Sequence, residues 1–245
     1  MLNLLRKYRK NYSGEDIISE RKYEEGAWTS TTEHVPNNVI NNQISNRAVV
    51  FGNGVSRLDF DVKHLMAKKS GLLGADTLQS YGCNAFYRDY TPDFLVVTDR
   101  VMAKQVVDSG YTDNNIVYTR VDISLEFPKK FYLIPRDPYA DSGSTALYIA
   151  AFDGHKKVYL LGFDGQDTPG MNNNVYANTP GYTDLYSQIN DDKWFANQAT
   201  IFRVYNDVEF IHVSDQGTAN IPEDWKYCPN LRQISHRDFV LETDL

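Results

Sequence analysis

Cysteine is scarce in this chain of 245 residues: only Cys83 and Cys228 occur, far apart, with no CxxC and no Cys/His cluster. That excludes a disulfide framework and a standard structural zinc site, and it fits a reducing compartment. Apolar runs are short, and none approaches the ~18 residues that a membrane helix needs. The opening MLNLLRKYRK carries its charge after its apolar residues and has no h-region, so it does not read as a secretory signal. A cytoplasmic chain without a membrane span is the expectation. Positive charge is in deficit as well: 25 Lys and Arg against 32 Asp and Glu give a formal net charge of −7. No nucleic-acid partner is expected, because neutralising phosphates takes clustered basic residues. The one basic cluster, Arg6 to Lys10, is followed at once by Glu15, Asp16 and Glu20 and reads as a solvated face.

Familiar catalytic signatures are missing too. There is no H-E-x-x-H, no G-x-S-x-G and no Walker G-x-x-x-x-G-K-[ST], and none of the five histidines stands beside a recognisable nucleophile. Nothing in the spacing points to a metal site.

What the sequence does contain is alternation of strand and helix. Residues 1–46 are polar, rich in Asn, Ser, Glu and Tyr, and read as an N-terminal arm laid over a single α/β domain at 47–245. From Arg47 the text changes. RAVVF, TLQSY, DFLVVTD, NIVYT, KFYLIP, VYLLGF and VEFIHVS read as strands, several of them continuously apolar as in a parallel sheet covered on both faces. DFDVKHLMAKK, RVMAKQVVDSG and TALYIAAF read as helices; Ser142 or Ser144 is the expected N-cap of the last, and Gly154 its left-handed stop. Trp194, Phe195, Ile201, Phe202 and Tyr205 mark one more helix. The expected fold is a doubly wound, mostly parallel, Rossmann-like sheet with helices on both faces.

In such a sheet ligands sit beyond the carboxyl ends of the strands. Gly52 to Arg57, Gly82 to Tyr87, Thr98 to Arg100, Ser142 to Thr145 and the loop from Asp164 therefore draw attention together. GNGVSR begins like a dinucleotide fingerprint, but Arg57 replaces its third glycine, so a dinucleotide site is not expected. Gly52, Asn53, Gly54 and Ser56 either let backbone amides approach an anion or make a tight βα turn that needs glycine for its φ alone. Asn84 is a base or ribose contact or a turn former. Asp99 meets ribose or a divalent ion, or caps the following helix. Ser142, Gly143 and Ser144 open a helix with spare amides and hydroxyls. GMNNNVYANTPGYTDLY reads as a lid whose Tyr176, Tyr182 and Tyr186 either donate to phosphate on closure or face solvent.

In this order, GNGVSRL, CNAFY, DSGSTALYIAAFDGHKKVYLLGFD and EFIHVS resemble the motifs of the bacterial family 42 sialyltransferases over Arg47 to Asp215. The resemblance implies a GT-A-like fold, a CMP-sugar donor and a glycan or small-molecule acceptor, with no cofactor and no metal. It places Asn53, Gly54 and Ser56 on the phosphate side and Asn84 and Asp99 on base or ribose. Ser142 and Gly143 would lie at the nucleotide, and Tyr176 on donor phosphate. Ser144 and Asp164 border the same loops. Two departures stand out: YTDLYSQINDDKWFANQ holds no histidine where the family has its base, and Tyr139 stands where it has an arginine, the nearest being Arg136. Asp184 or Asp191 is then the candidate base. A related superfamily of 6-hydroxymethylpterin diphosphokinase-like proteins implies instead ATP and Mg²⁺ held by Asp99 and Asp164. A non-catalytic nucleotide-binding or scaffold protein is the third reading, and a homo-oligomer stays open.

Overall fold

The computed structural model describes residues 4–11, 14–24, 27–33, 45–63, 65, 78–164, 173–182, 191–215 and 221–244. The N-terminal arm is a β-meander: β1 (Leu4–Asn11), β2 (Gly14–Glu24) and β3 (Ala27–Glu33) pair antiparallel in a sheet of their own. Strands this rich in Lys, Arg, Glu and Thr lack the apolar alternation by which a strand is legible, so the sequence hid them.

The main sheet follows the expected plan. Its strands are β4 (Arg47–Phe51), β5 (Gln79–Cys83), β6 (Phe94–Val96), β7 (Ile116–Thr119), β8 (Tyr132–Leu133), β9 (Lys157–Leu161), β10 (Glu209–Val213) and β11 (Leu231–Ile234). All pair in parallel, in the order β11-β10-β9-β4-β5-β6-β7-β8. The chain winds outward from β4 to β8, then returns to lay β9 on the other side of β4. The order thus reverses between β4 and β9, which makes their carboxyl ends the switch point where open α/β sheets bind ligands.

Alternation in the strands sorts side chains to two faces. Ala48, Val50, Tyr81, Val158, Leu160 and Phe210 face one core, with helix α3 (Ser142–Phe152) and helix α4 (Asp191–Val204) over it. Val49, Phe51, Leu95, Tyr159, Leu161 and Ile211 face the other, beneath helix α1 (Arg100–Asp108) and helix α5 (His236–Thr243). Helix α3 is apolar nearly all round because it is buried nearly all round. It ends as expected, with Gly154 at φ +95°.

Several local expectations are corrected. The N-cap of α3 is Asp141, neither Ser142 nor Ser144: its extended backbone carries the carboxylate to the Ser144 amide at 2.9 Å. Strand β5 runs on to Cys83, so Gly82 and Cys83 are strand and Asn84–Arg88 is a 3₁₀ turn. A 3₁₀ turn over Val55–Asp59 also precedes any longer helix after the glycine bend. The sequence missed helix α2 (Val121–Glu126), strand β11 and helix α5.

Candidate functional site

The glycine bend lies at the switch point, but its glycines are not there for their φ. Gly52 and Gly54 are not among the residues with positive φ. They are needed because β4 and β9 exit side by side: Gly52 N–H donates to the Leu161 carbonyl at 2.8 Å and Gly54 N–H to Gly162 at 2.9 Å. A Cβ on Gly52 would run into the Gly162 carbonyl, whose carbon lies 2.8 Å away. Gly162 itself takes φ +70° to make the same crossing. The donors at the bend are engaged within the chain. The Ser56 amide donates to Asp164 Oδ2 at 2.8 Å, the Ser56 hydroxyl to Asp164 Oδ1, and the Val55 amide to Asn173 Oδ1 at 2.9 Å. Asp164 thus stands where an incoming anion would.

Arg57, read as an obstacle in the sequence, organises the site. It is 2% exposed. Its Nη1 donates to the Gly52 carbonyl at 3.0 Å and to Asn53 Oδ1 at 3.1 Å, and its Nη2 to the Tyr176 hydroxyl at 3.2 Å. The guanidinium also lies over the rings of Phe86 (4.8 Å) and Tyr176 (5.4 Å). The only sequence signal was a charged residue inside a small-residue motif.

The described part of the segment that the sequence suggests as a lid, 173–182, is packed down. Tyr176 and Tyr182 are buried, not solvent-facing. Tyr176 Oη donates to Asp89 Oδ2 at 2.7 Å, and Asn53 Nδ2 donates to Tyr182 Oη at 3.3 Å. Arg88 pins the turn through Thr179 Oγ1 (2.7 Å) and the Pro180 carbonyl (2.6 Å). Burial drives the pKa of both phenols well up, so both remain neutral donors. Tyr186 and Asp184 lie outside the described residues, as does the side chain of Asp191, which opens α4.

The start of α3 faces the same end of the sheet. Ser142 Oγ accepts from the Thr98 amide at 3.0 Å beyond β6 and lies 2.7 Å from Thr98 Oγ1. A Cβ on Gly143 would lie 3.7 Å from the Phe163 ring and 3.9 Å from Cys83 Sγ, and the same ring would lie 3.2 Å from a Cβ on Gly52. The ends of β4, β5 and β9 and the start of α3 therefore meet around one phenyl ring. Asp99 caps α1, accepting from the Met102 amide at 2.9 Å. Three buried polar atoms in these loops have no hydrogen-bond partner: Asn84 Oδ1, Asp141 Oδ2 and Ser144 Oγ. Asn84 is held at φ +48°, which an asparagine tolerates. Burial, with Asp141 nearby, pushes the Cys83 thiol up to about 12, so it is no nucleophile.

Beyond β7 and β8 lies a pocket of ≈ 800 Å³ whose lining includes Arg120, Asp122, Ile134, Arg136 and Tyr139. Arg120 Nη2 donates to the Ala140 carbonyl at 2.5 Å, tying the pocket wall to the entry of α3. Arg136 and Tyr139, at φ +44° and +54°, both hold left-handed backbone there. His236 has a carboxylate partner: its Nδ1 and the Asp215 Oδ2 atom are 2.9 Å apart at the start of α5.

The comparison that bears on this arrangement is structural. The fold is similar to that of a sialyltransferase. The monofunctional alpha-2,3-sialyltransferase Cst-I from Campylobacter jejuni superposes with a TM-score of 0.51, at 15% identity, over 73% of this chain and 80% of that chain. An alpha-2,3-sialyltransferase from the same organism in apo form gives a TM-score of 0.43 at 16% identity, over 73% and 79% of the two chains. The sialyltransferase CST-II in complex with CMP gives 0.48 at 13%, over 75% and 87%. No protein-family profile matches the sequence, and no curated protein does. The diphosphokinase link draws no support from these neighbours. Among the described residues, no three His, Cys, Asp or Glu side chains gather as a metal site, and no helix is long and apolar enough to cross a membrane.

Proposed function

We propose that the chain transfers a glycosyl group from a nucleotide-sugar donor, a CMP-sugar by the motif resemblance, without a metal. One observation carries the reading. Asn84 Oδ1, Asp141 Oδ2 and Ser144 Oγ are buried and unpartnered in the loops that gather at the sheet's switch point. Buried polar atoms are rarely left so, and a nucleoside supplies what they lack. Its base amino group and ribose hydroxyls can donate to the Asn84 amide oxygen and the Asp141 carboxylate oxygen, and the oxygen of an attached phosphate can accept from the Ser144 hydroxyl.

In this scheme an acceptor hydroxyl attacks the anomeric carbon, and its proton passes to Asp184 or Asp191. The bond from that carbon to the donor phosphate oxygen breaks, and the nucleoside monophosphate leaves. The amides at the start of α3 offset its charge, and Tyr176 joins them once its hydroxyl leaves Asp89. The acceptor would enter by the pocket beyond β7 and β8, whose lining includes the basic Arg136 even though Tyr139 holds the expected arginine position.

Thermal-shift titration with CMP, CDP, UDP, GDP and ATP, with and without Mg²⁺, tests this. At a hundredfold excess over Kd a native-state ligand stabilises by about 2.7 kcal/mol. A CMP shift that needs no metal supports the proposal, and an ATP shift that needs Mg²⁺ overturns it in favour of diphosphate transfer. A scaffold role is favoured by one feature, the capture of the Ser56 amide by Asp164. Silence with every nucleotide would establish it over the enzyme. Full transfer activity in both Asp184→Ala and Asp191→Ala would remove the carboxylate base.

A further inference from the structure

Beside the β10–β11 edge, a cavity of ≈ 250 Å³ is lined by His212, Ile221, Trp225, Cys228, Leu231 and Gln233, with Lys226 and Arg232 at hand. Its chemistry is unusual in what it leaves unmade. His212 is 8% exposed, and its ring has no side-chain hydrogen-bond partner, only the Phe163 backbone lying within reach of it. Trp225 is 2% exposed, and its indole N–H has none either. The two rings stand edge to face at 5.1 Å. Phe195 and Phe202 hold the indole from other sides, with ring centroids at 5.5 and 5.6 Å, so its N–H direction is fixed.

The nearby charges are already neutralised. Lys226 pairs with Glu223 at 2.6 Å, and Arg232 pairs with Glu209 at 2.6 Å and Glu242 at 2.7 Å. The cavity therefore makes no demand for an anion. It offers an indole donor, the acceptor nitrogen of a neutral imidazole, an aromatic wall and apolar Leu231 and Ile221. A hydroxyl both donates and accepts, so hydroxyl groups on a compact ring satisfy this set together. Size narrows the choice. An apolar cavity of about 150 Å³ takes benzene. One of ≈ 250 Å³ takes a six-membered ring with substituents.

We propose that this cavity binds a single uncharged, hydroxylated six-membered ring, one monosaccharide unit in size. The assignment does not rest on the nucleotide reading, and the test needs no nucleotide. The isotope-labelled full chain is titrated with methyl α-glucopyranoside, methyl β-galactopyranoside and free N-acetylneuraminic acid, while the Trp225 indole N–H and His212 ring resonances are followed. A saturable shift of both with a neutral glycoside is expected, weakened roughly tenfold or more in Trp225→Phe. Leu231→Phe, which fills the cavity without touching its polar groups, should abolish the shift even if Trp225→Phe does not fold. No saturable shift with either neutral glycoside, meaning a cavity filled by water alone, overturns the proposal. So does an undiminished shift in Leu231→Phe, or a response to the sugar acid as strong as to the neutral sugars.

Discussion

Arg57 Nη2 donates to the phenolic oxygen of Tyr176 across a sequence separation of 119 residues, at 3.2 Å. That bond joins the bend after β4 to the segment 173–182, and the same guanidinium holds the Gly52 carbonyl and Asn53. Replacing Arg57 with Ala strands these acceptors and removes two cation–π contacts. We expect a loss of about 2–4 kcal/mol in urea unfolding. Arg57→Lys should recover only part of it, because one ammonium cannot reproduce the fork.

Gly52→Ala should cost on the order of 3 kcal/mol, since its Cβ collides with backbone that cannot swing aside. Gly143→Ala is the contrast. Its nearest atom would be Asp141 Oδ1 at 3.3 Å, and the change should stay within about 1 kcal/mol. Thermal melts of the two proteins, side by side, check that the bend is made for strand-end contact.

Asn84 separates binding from folding. At φ +48° an alanine is strained and a glycine is not, so Asn84→Ala should lose about 1 kcal/mol while Asn84→Gly holds its stability. Both lose the Oδ1 acceptor, so under the proposed function both should lose most of the CMP-induced shift. A glycine variant that keeps the full shift would remove Asn84 from the nucleotide.

His212 gives the protein a pH signature. Burial lowers its pKa from 6.5 to about 4, with the Phe163 backbone partly offsetting this and His236 adding to it; Lys226 and Arg232 line the same cavity but are paired with carboxylates. Between these values the unfolded chain binds the proton and the folded chain does not. Stability is therefore complete above about pH 6.5 and declines as pH falls toward 4, by on the order of 3 kcal/mol. In His212→Phe this slope should vanish in urea unfolding at stepped pH. The carboxylates held low by hydrogen bonds, Asp207, Asp215, Glu223 and Glu242, act in a lower window, below their ordinary values of 3.8 and 4.5.

The sequence alone determined the sheet and its main helices. Apolar runs such as RAVVF and VYLLGF, and the all-round apolar TALYIAAF, bury wherever they fall, because removing that surface from water outweighs local detail. Parallel winding then sent GNGVS, NAFY and DSGS to one end of the sheet without any knowledge of contacts. Tertiary structure alone decided what each polar group does there. Asp164 lies 108 residues from Ser56, and Asn53 bonds the carbonyl of Cys83, 30 residues on. Such pairings depend on which strand end lands beside which, so the same letters read as an open anion cradle locally and as a closed bend when folded. The N-terminal strands and the burial of Arg57 were hidden for the same reason: hydrogen bonds between distant segments leave no periodic mark in the chain.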